Sequence, residues 1–263
     1  LNNLKSFQSN LTFDQLTTDF FRRFVLFLRN KRGNSEVTIN KTIRIIAIYV
    51  NEAIKKEIIK ESPIKYLKLR GAEETTAEAL EEQELKELVS IYHKHIFTGT
   101  THDVLEFFLF MCFSSLHISD ARSLQIDQIG KDEFWYMRRK MINIRPRVVR
   151  VPISEPLRQI INHKRKNRKS GVLWDDMIAD QKVNEKLKQI ASVAGIKKEL
   201  SAKFGRHTFA TIFLRRTRDI NTLKNIMGHS NIKQTLVYAH VLDQDRQLGI
   251  KVFDSFYEEK DHK

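Results

Sequence analysis

Apolar residues recur every three or four positions along most of this chain, the spacing of helices that bury one face. In 12-TFDQLTTDFFRRFVLFLRN-30, Phe20, Phe24, Phe27 and Leu28 share such a face, and Thr17 or Thr18 can cap the helix start. The turn 32-RGNS-35 leads into 36-EVTINKTIRIIAIYVNEAIKKEII-59, where Ile39, Ile43, Ile46, Val50 and Ile54 keep the period and Ser62-Pro63 is expected to end the helix. Lys41, Arg44, Lys55 and Lys56 occupy the remaining faces. These residues predict a small all-helical domain with basic surfaces over 1–70, followed by a linker over 71–79. The pattern turns helical again from 80-LEEQEL-85, with Leu85 and Leu88 inward and the carboxylates suited to a helix N-terminus. It breaks once, in 133-EFWYMRRKMINIRPRVVRVPIS-154, which is aromatic, β-branched and punctuated by Pro146 and Pro152. Two or three short strands are expected there, before helices resume in 155-EPLRQIINHKRK-166 and 181-QKVNEKLKQIASVAGI-196. The predicted fold class is mostly α, with a small antiparallel β-sheet in a second domain over 80–263.

Length and composition change this picture little. The 263 residues are enough for two domains, and 41% are hydrophobic, which excludes disorder as the default. The longest apolar run, 104-VLEFFLFMCF-113, is a buried helix segment too short to span a membrane. Its Cys112 is the one cysteine, so no disulfide framework exists and a reducing, cytoplasmic compartment is expected. The histidines of 93-HKH-95 have no further ligands at metal spacing, so no metal or other cofactor is expected.

Charge adds a partner. The net charge is +14, with 14 basic and 6 acidic groups in 1–72, 1 and 7 in 73–90, and 31 and 19 in the remainder. Two basic blocks flanking an acidic segment suit two lobes that face DNA.

The candidate chemistry lies near the C-terminus. In 204-FGRHTFATIFL-214 an Arg-His pair opens an apolar helix, with Arg206 just inside the N-terminus, where free N–H groups and a guanidinium can hold a phosphate. The helix within 218-RDINTLKNIMGH-229 should stop at Gly228 in the αL conformation, leaving the His229 imidazole free to donate to an anion. Tyr238 follows in 230-SNIKQTLVYAH-240. Short loops can converge all three.

On 206-RHTFAT-211, 228-GHSNIKQT-235 and Tyr238, the chain resembles the tyrosine recombinase (phage integrase) family. The likeness covers nearly the whole chain. Residues 1–70 resemble the helical core-binding domain, 80-LEEQEL-85 the opening of the catalytic domain, and 107-FFLFMCFSSLHISDARSL-124 the first-arginine motif. The style is similar to integrases of Bacteroidetes mobile elements. Those carry an N-terminal arm-binding domain, so a chain opening on Leu1 is expected to be a fragment.

The resemblance implies a site-specific recombinase that cleaves double-stranded DNA through a 3′-phosphotyrosyl intermediate, for integration or excision of a mobile element. Tyr238 would be the nucleophile, Arg206 and His229 would stabilise the phosphate oxygens, and Lys140 would protonate the departing 5′-oxygen. Lys41, Arg44, Lys55, Arg145 and Arg147 would hold DNA. A homotetramer on DNA and a DNA-bending accessory protein would be the further partners.

Two positions depart from the family pattern. His117 stands where the first arginine is expected, and Lys203 stands at the first position of the His-x-x-Arg motif. Imidazole cannot reproduce a bidentate guanidinium. Arg138, which shares a strand face with Lys140, is the expected replacement, and Asp120 either orients a cation or lies on a helix surface. A catalytically impaired DNA-binding relative, or a type IB topoisomerase that nicks and closes one duplex, are the alternative readings.

Overall fold

A computed structural model describes residues 2–71, 78–138, 146–239 and 250. The chain forms two compact units, residues 1–75 and 76–263.

The first unit is built on two long helices. After α1 (Asn2–Phe7), α2 (Thr18–Asn30) starts at Thr17, whose side chain accepts from the Phe20 amide. Of the two threonines that could cap, Thr17 does so, while Thr18 Oγ1 donates to the Pro63 carbonyl. Phe20, Phe21, Phe24 and Leu28 of α2 bury against Ile39, Ile43, Ile46 and Val50 of α3 (Glu36–Lys55). Arg29 binds both carboxylate oxygens of Glu36 at 2.6 and 3.0 Å, fixing the corner between the two helices.

The end of α3 differs from the expected stop at Ser62-Pro63. The helix ends at Lys55, and Glu57 takes φ 57°. The Ile58 amide then bonds the Ala53 carbonyl and the Glu57 amide the Ile54 carbonyl, a Schellman closure made without the glycine that would have announced it.

The second unit wraps around one buried helix. From α4 (Glu82–His93) the chain enters α5 (Gly99–Ser114), apolar on every side, in which Phe107, Phe108, Phe110 and Met111 are wholly buried. Short α6 (Ile118–Ala121) precedes the sheet. Strands β1 (Glu133–Met137) and β2 (Val148–Pro152) pair antiparallel, with Tyr136 opposite Val149. Alternation sends Phe134, Tyr136, Val149 and Val151 into the core. Residues 139–145, and with them Lys140 and Arg145, lie outside the described residues. The chain continues through α7 (Glu155–Arg165), α8 (Asp180–Val193), α9 (Ala202–Thr217), α10 (Ile220–Ile226) and α11 (Lys233–Leu236).

Helix α9 is the one that carries Arg206, and it lies directly on α5. A Cβ added to Gly205 would come within 2.8 Å of Met111 Cβ, so glycine sets how closely the helices approach. The acidic run anchors the other end of α9. Glu81 pairs with Arg215 at 2.7 Å, Glu82 with Arg216, and Glu84 with Lys198 of the loop before α9 at 2.6 Å. These carboxylates therefore do more than complement the dipole of α4.

Gly205→Ala is expected to destabilise the second unit by about 1–3 kcal/mol, because Met111 Cβ belongs to a rigid helix and cannot turn aside. A thermal melt unchanged from wild type would contradict this packing.

Candidate active site

Arg206 sits on the second turn of α9, deeper than the helix N-terminus expected from the sequence. It is 8% exposed, and its guanidinium serves as a bracket. Nη1 donates to the Ser115 carbonyl at 2.6 Å, and Nη2 donates to the Met227 carbonyl at 2.8 Å and to His229 Nε2 at 2.9 Å. Ser115 adopts φ 60° at the C-terminus of α5, which exposes its carbonyl to this contact. Burial lowers the pKa of Arg206, and the charge of Arg138 adds to that.

Gly228 adopts φ 62° and closes α10 as the sequence predicts. The His229 amide bonds the Lys224 carbonyl and the Gly228 amide the Asn225 carbonyl. A side chain here would be strained, and its Cβ would lie 2.5 Å from Val149 Cγ2.

The imidazole that follows is not free to donate to an anion, as the sequence reading expected. Arginine only donates, so Nε2 of His229 accepts, and Nδ1–H donates to Thr235 Oγ1 at 2.9 Å. Burial first, then the charges of Arg206 and Arg138, push the His229 pKa down to about 3. His229 is thus neutral and clamps Arg206 to α11.

Tyr238 is 2% exposed, on the turn that leaves α11. Its hydroxyl is 2.7 Å from Nδ1 of His207. Burial raises its pKa to about 12 despite the opposing charge of Arg206. The pKa of His207 falls to about 4 through burial and the neighbouring Lys203, Arg206 and His117.

One cavity of about 440 Å³ collects His117, Lys203, Arg206, His207, His229 and Tyr238. His117 caps α6, its Nδ1 accepting from the Ser119 amide at 3.4 Å. Arg138 follows the last residue of β1 and reaches the rear of the same loop, where Nη1 donates to the Gly228 carbonyl at 3.1 Å. Its Nε is buried and, among the described residues, without a hydrogen-bond partner. Arg206 and Arg138 thus hold the adjacent carbonyls of Met227 and Gly228. Asp120 is buried, not on a helix surface, and acts electrostatically on Tyr136, the neighbour of both arginines.

Lys41, Arg44 and Lys55 share one exposed face of α3, opposite its buried isoleucines at about 3.6 residues per turn. Lys55 also pairs with Glu52 at 2.9 Å. Arg147 is exposed just before β2. Among the described residues no group of three or more His, Cys, Asp or Glu could hold a metal, and no helix is long and apolar enough to cross a membrane.

In the sequence His207 and Thr235 stand only as members of longer motifs, and nothing marks Tyr136 as part of the site. The Arg206-His207 pair was visible, but only a tertiary contact joins its second member to a tyrosine 31 positions later.

The phage integrase family matches residues 78–245, and the SAM-like domain of phage integrases matches residues 1–70. The chain belongs to the phage integrase family. It is similar to an integrase/recombinase of Escherichia coli, 38% identical over 74 residues, or 28% of this chain. The chain spans only 22% of the length of that relative. It is also similar to the tyrosine recombinase XerD of Oceanobacillus iheyensis, 21% identical over 259 residues, covering 90% of this chain and 82% of the relative.

Among solved structures it resembles the Tn1549 transposon integrase in complex with a circular intermediate DNA, with a TM-score of 0.68 at 18% identity over 92% of this chain and 87% of that one. It also resembles the XerH site-specific recombinase bound to a palindromic difH substrate, with a TM-score of 0.67 at 16% identity over 98% of this chain and 77% of that one. At such identities the likeness is one of fold.

The neutral histidines give the site a pH dependence. An unfolded histidine has its ordinary value of 6.5, whereas His229 and His207 are held at about 3 and about 4. Between these values the unfolded chain binds more protons, so stability is fully present above about pH 6.5 and is lost as pH falls toward 4. Urea denaturation should show a lower midpoint at about pH 5 than at about pH 7.5, and the His229 imidazole resonance should not titrate between them. A His229 midpoint near its ordinary value would contradict the clamp.

Proposed function

We propose that this chain is a site-specific DNA recombinase that cuts and rejoins double-stranded DNA through a tyrosyl phosphodiester, in the integration or excision of a mobile element. One arrangement carries the reading: a buried arginine, three histidines, a lysine and a tyrosine lining one cavity of about 440 Å³. Its volume and cationic lining suit a phosphodiester.

In this reading Tyr238 Oη attacks phosphorus and the 5′-oxygen leaves. Arg206 supplies positive charge to the non-bridging oxygens, and His229 holds Arg206 in place rather than donating first. Lys203 and His117, which line the cavity, would contact the same oxygens, and Lys140 is the proposed donor to the departing oxygen. Arg138 supplies the second guanidinium that His117 lacks. In support, its bond to the Gly228 carbonyl sets it one residue from the loop carbonyl that Arg206 holds.

The phosphotyrosyl link retains the energy of the broken phosphodiester, so rejoining needs no metal or nucleotide. Exchange between two duplexes cuts each strand once, so one copy per strand, a homotetramer, is the implied assembly. A DNA-bending protein would lower the cost of the sharp bends such an assembly demands.

Domain roles follow the same reading. Residues 1–70 bind DNA through Lys41, Arg44 and Lys55 of α3, and residues 80–263 carry the chemistry, with Arg145 and Arg147 on the backbone nearby.

The test is covalent capture on a pool of nicked duplexes with random cores, from which the 5′-fragment diffuses away after cleavage. Wild type should form a protease-sensitive adduct that Tyr238→Phe abolishes. Arg138→Ala should slow adduct formation by about 10²–10³, the usual cost of losing one group that stabilises the transition-state charge. Binding without any adduct, recovered in His117→Arg, would instead identify a DNA-binding protein that has lost catalysis. Relaxed circles without strand-exchanged products would indicate a nicking-closing enzyme.

Binding has its own signature. Each of Lys41→Ala, Arg44→Ala and Lys55→Ala should reduce the slope of log affinity against log salt by about 1 if that residue contacts phosphate. Slopes equal to wild type would remove α3 from the DNA interface.

A further inference from the structure

The hydrogen bond between His207 and Tyr238 has no part in the reading above. Nδ1 of His207 lies 2.7 Å from Tyr238 Oη, with ring centroids 5.6 Å apart and planes tilted by 50°. Both partners are held from behind. His207 follows Arg206 on α9, whose position Gly205 fixes against α5. Tyr238 is tied to α11 by its amide, which bonds the Thr235 carbonyl at 3.0 Å, and Thr235 Oγ1 accepts from His229.

The direction of the bond follows from its surroundings. With a pKa of about 12 the phenol keeps its proton at neutral pH, and with a pKa of about 4 the imidazole carries none in excess. Among the described residues the hydroxyl has no other hydrogen-bond partner, so Oη–H donates to Nδ1 and the ring proton sits on Nε2. Among the described residues, the charged and titratable groups that share the cavity with His207 are Lys203, Arg206, His117, His229, Tyr238 and Asp180, whose carboxylate pairs with Arg122. The guanidinium of Arg206 has donors only, so it cannot take a proton from the phenol. His229 has its accepting nitrogen occupied by Arg206. His207 is the group to which the hydroxyl is already hydrogen-bonded.

We propose that His207 is a catalytic residue that accepts the Tyr238 proton at Nδ1 during attack and returns it when the link is reversed. The inference rests on the recombinase reading. In the forward step the Oη–P bond forms, the P–O5′ bond breaks, and the phenol proton moves to Nδ1 as the ring becomes imidazolium. The departing 5′-oxygen takes its proton from the acid on its own side, the part proposed for Lys140. In reverse, the 5′-hydroxyl gives up its proton on that side and the imidazolium returns its proton to Oη.

The resting site does not transfer the proton, because phenol holds it far more tightly than the imidazole. Two events change this balance. A bound phosphodiester brings a negative charge that offsets Lys203, Arg206 and His117, the groups that disfavour imidazolium. Bond formation to phosphorus then acidifies the phenol as the proton leaves. The arrangement keeps the tyrosine unreactive until DNA is seated.

The experiment follows the adduct on a duplex captured from the nicked pool, for wild type, His207→Asn and His207→Ala. Asparagine retains a hydrogen-bond acceptor near Nδ1 but cannot take the proton. Affinity for the intact duplex and the melting temperature are recorded in parallel. We expect both variants to bind as wild type does and to form adduct about 10²-fold or more slowly near pH 7. Their rates should climb with pH, as solvent takes over the deprotonation, while wild type stays nearly level. Added imidazole should rescue His207→Ala.

An asparagine variant as fast as wild type would overturn the proposal, reducing His207 to positioning the tyrosine. So would an equal deficit at every pH without rescue. Both outcomes would leave the recombinase reading intact. Wild type without a Tyr238-dependent adduct would overturn both. Should the alanine variant unfold, His207→Asn and its pH profile carry the decision.

Discussion

The site depends on one buried guanidinium. Arg206 draws together three chain segments that meet nowhere else in the sequence: the end of α5 through the Ser115 carbonyl, the end of α10 through the Met227 carbonyl, and the start of the tyrosine-bearing segment through His229. A charge with this little exposure to water is tolerable only because hydrogen bonds replace its hydration. None of its three partners is a carboxylate. The guanidinium is therefore satisfied by neutral acceptors.

Around that bracket, backbone conformation supplies the acceptors. Ser115 and Gly228 both lie in the left-handed region, so that α5 and α10 each end abruptly with carbonyls turned toward the site. Gly205 lets α9 reach α5, and Gly228 leaves room for Val149 and Arg138 behind the loop. Ion pairs from the acidic segment to Arg215, Arg216 and Lys198 fix the flanks of α9 at the protein surface. Exposed pairs of this kind contribute little individually, but they set the helix in register with the capped start of α4.

Much of this was legible along the chain because it depends on local rules. The period of Phe20, Phe24 and Leu28 against Ile39, Ile43 and Val50 reports a shared buried face. The αL stop at Gly228 is visible because only glycine takes that conformation without cost. The closure of α3 at Glu57 was hidden for the same reason, since no glycine marks it and the hydrogen bonds to Ala53 and Ile54 decide it. The role of His229 is hidden as well. A histidine after a helix end looks free until the donor that occupies its Nε2, 23 residues earlier, is known.

The sequence by itself determined the two helical units, the short sheet, the basic character and the set of residues from which a phosphate-binding site could be assembled. All of these depend on periodicity, charge and backbone preference, which are carried by neighbours in the chain. Tertiary structure alone decided the wiring: that Arg206 is a bracket, that Arg138 bonds the Gly228 carbonyl, and that the Tyr238 hydroxyl is hydrogen-bonded to His207. Each of these is a contact between segments far apart in the chain, whose partners are chosen by packing and by burial. The same burial sets the proton affinities, holding His207 at about 4 and Tyr238 at about 12, values that no residue type announces on its own.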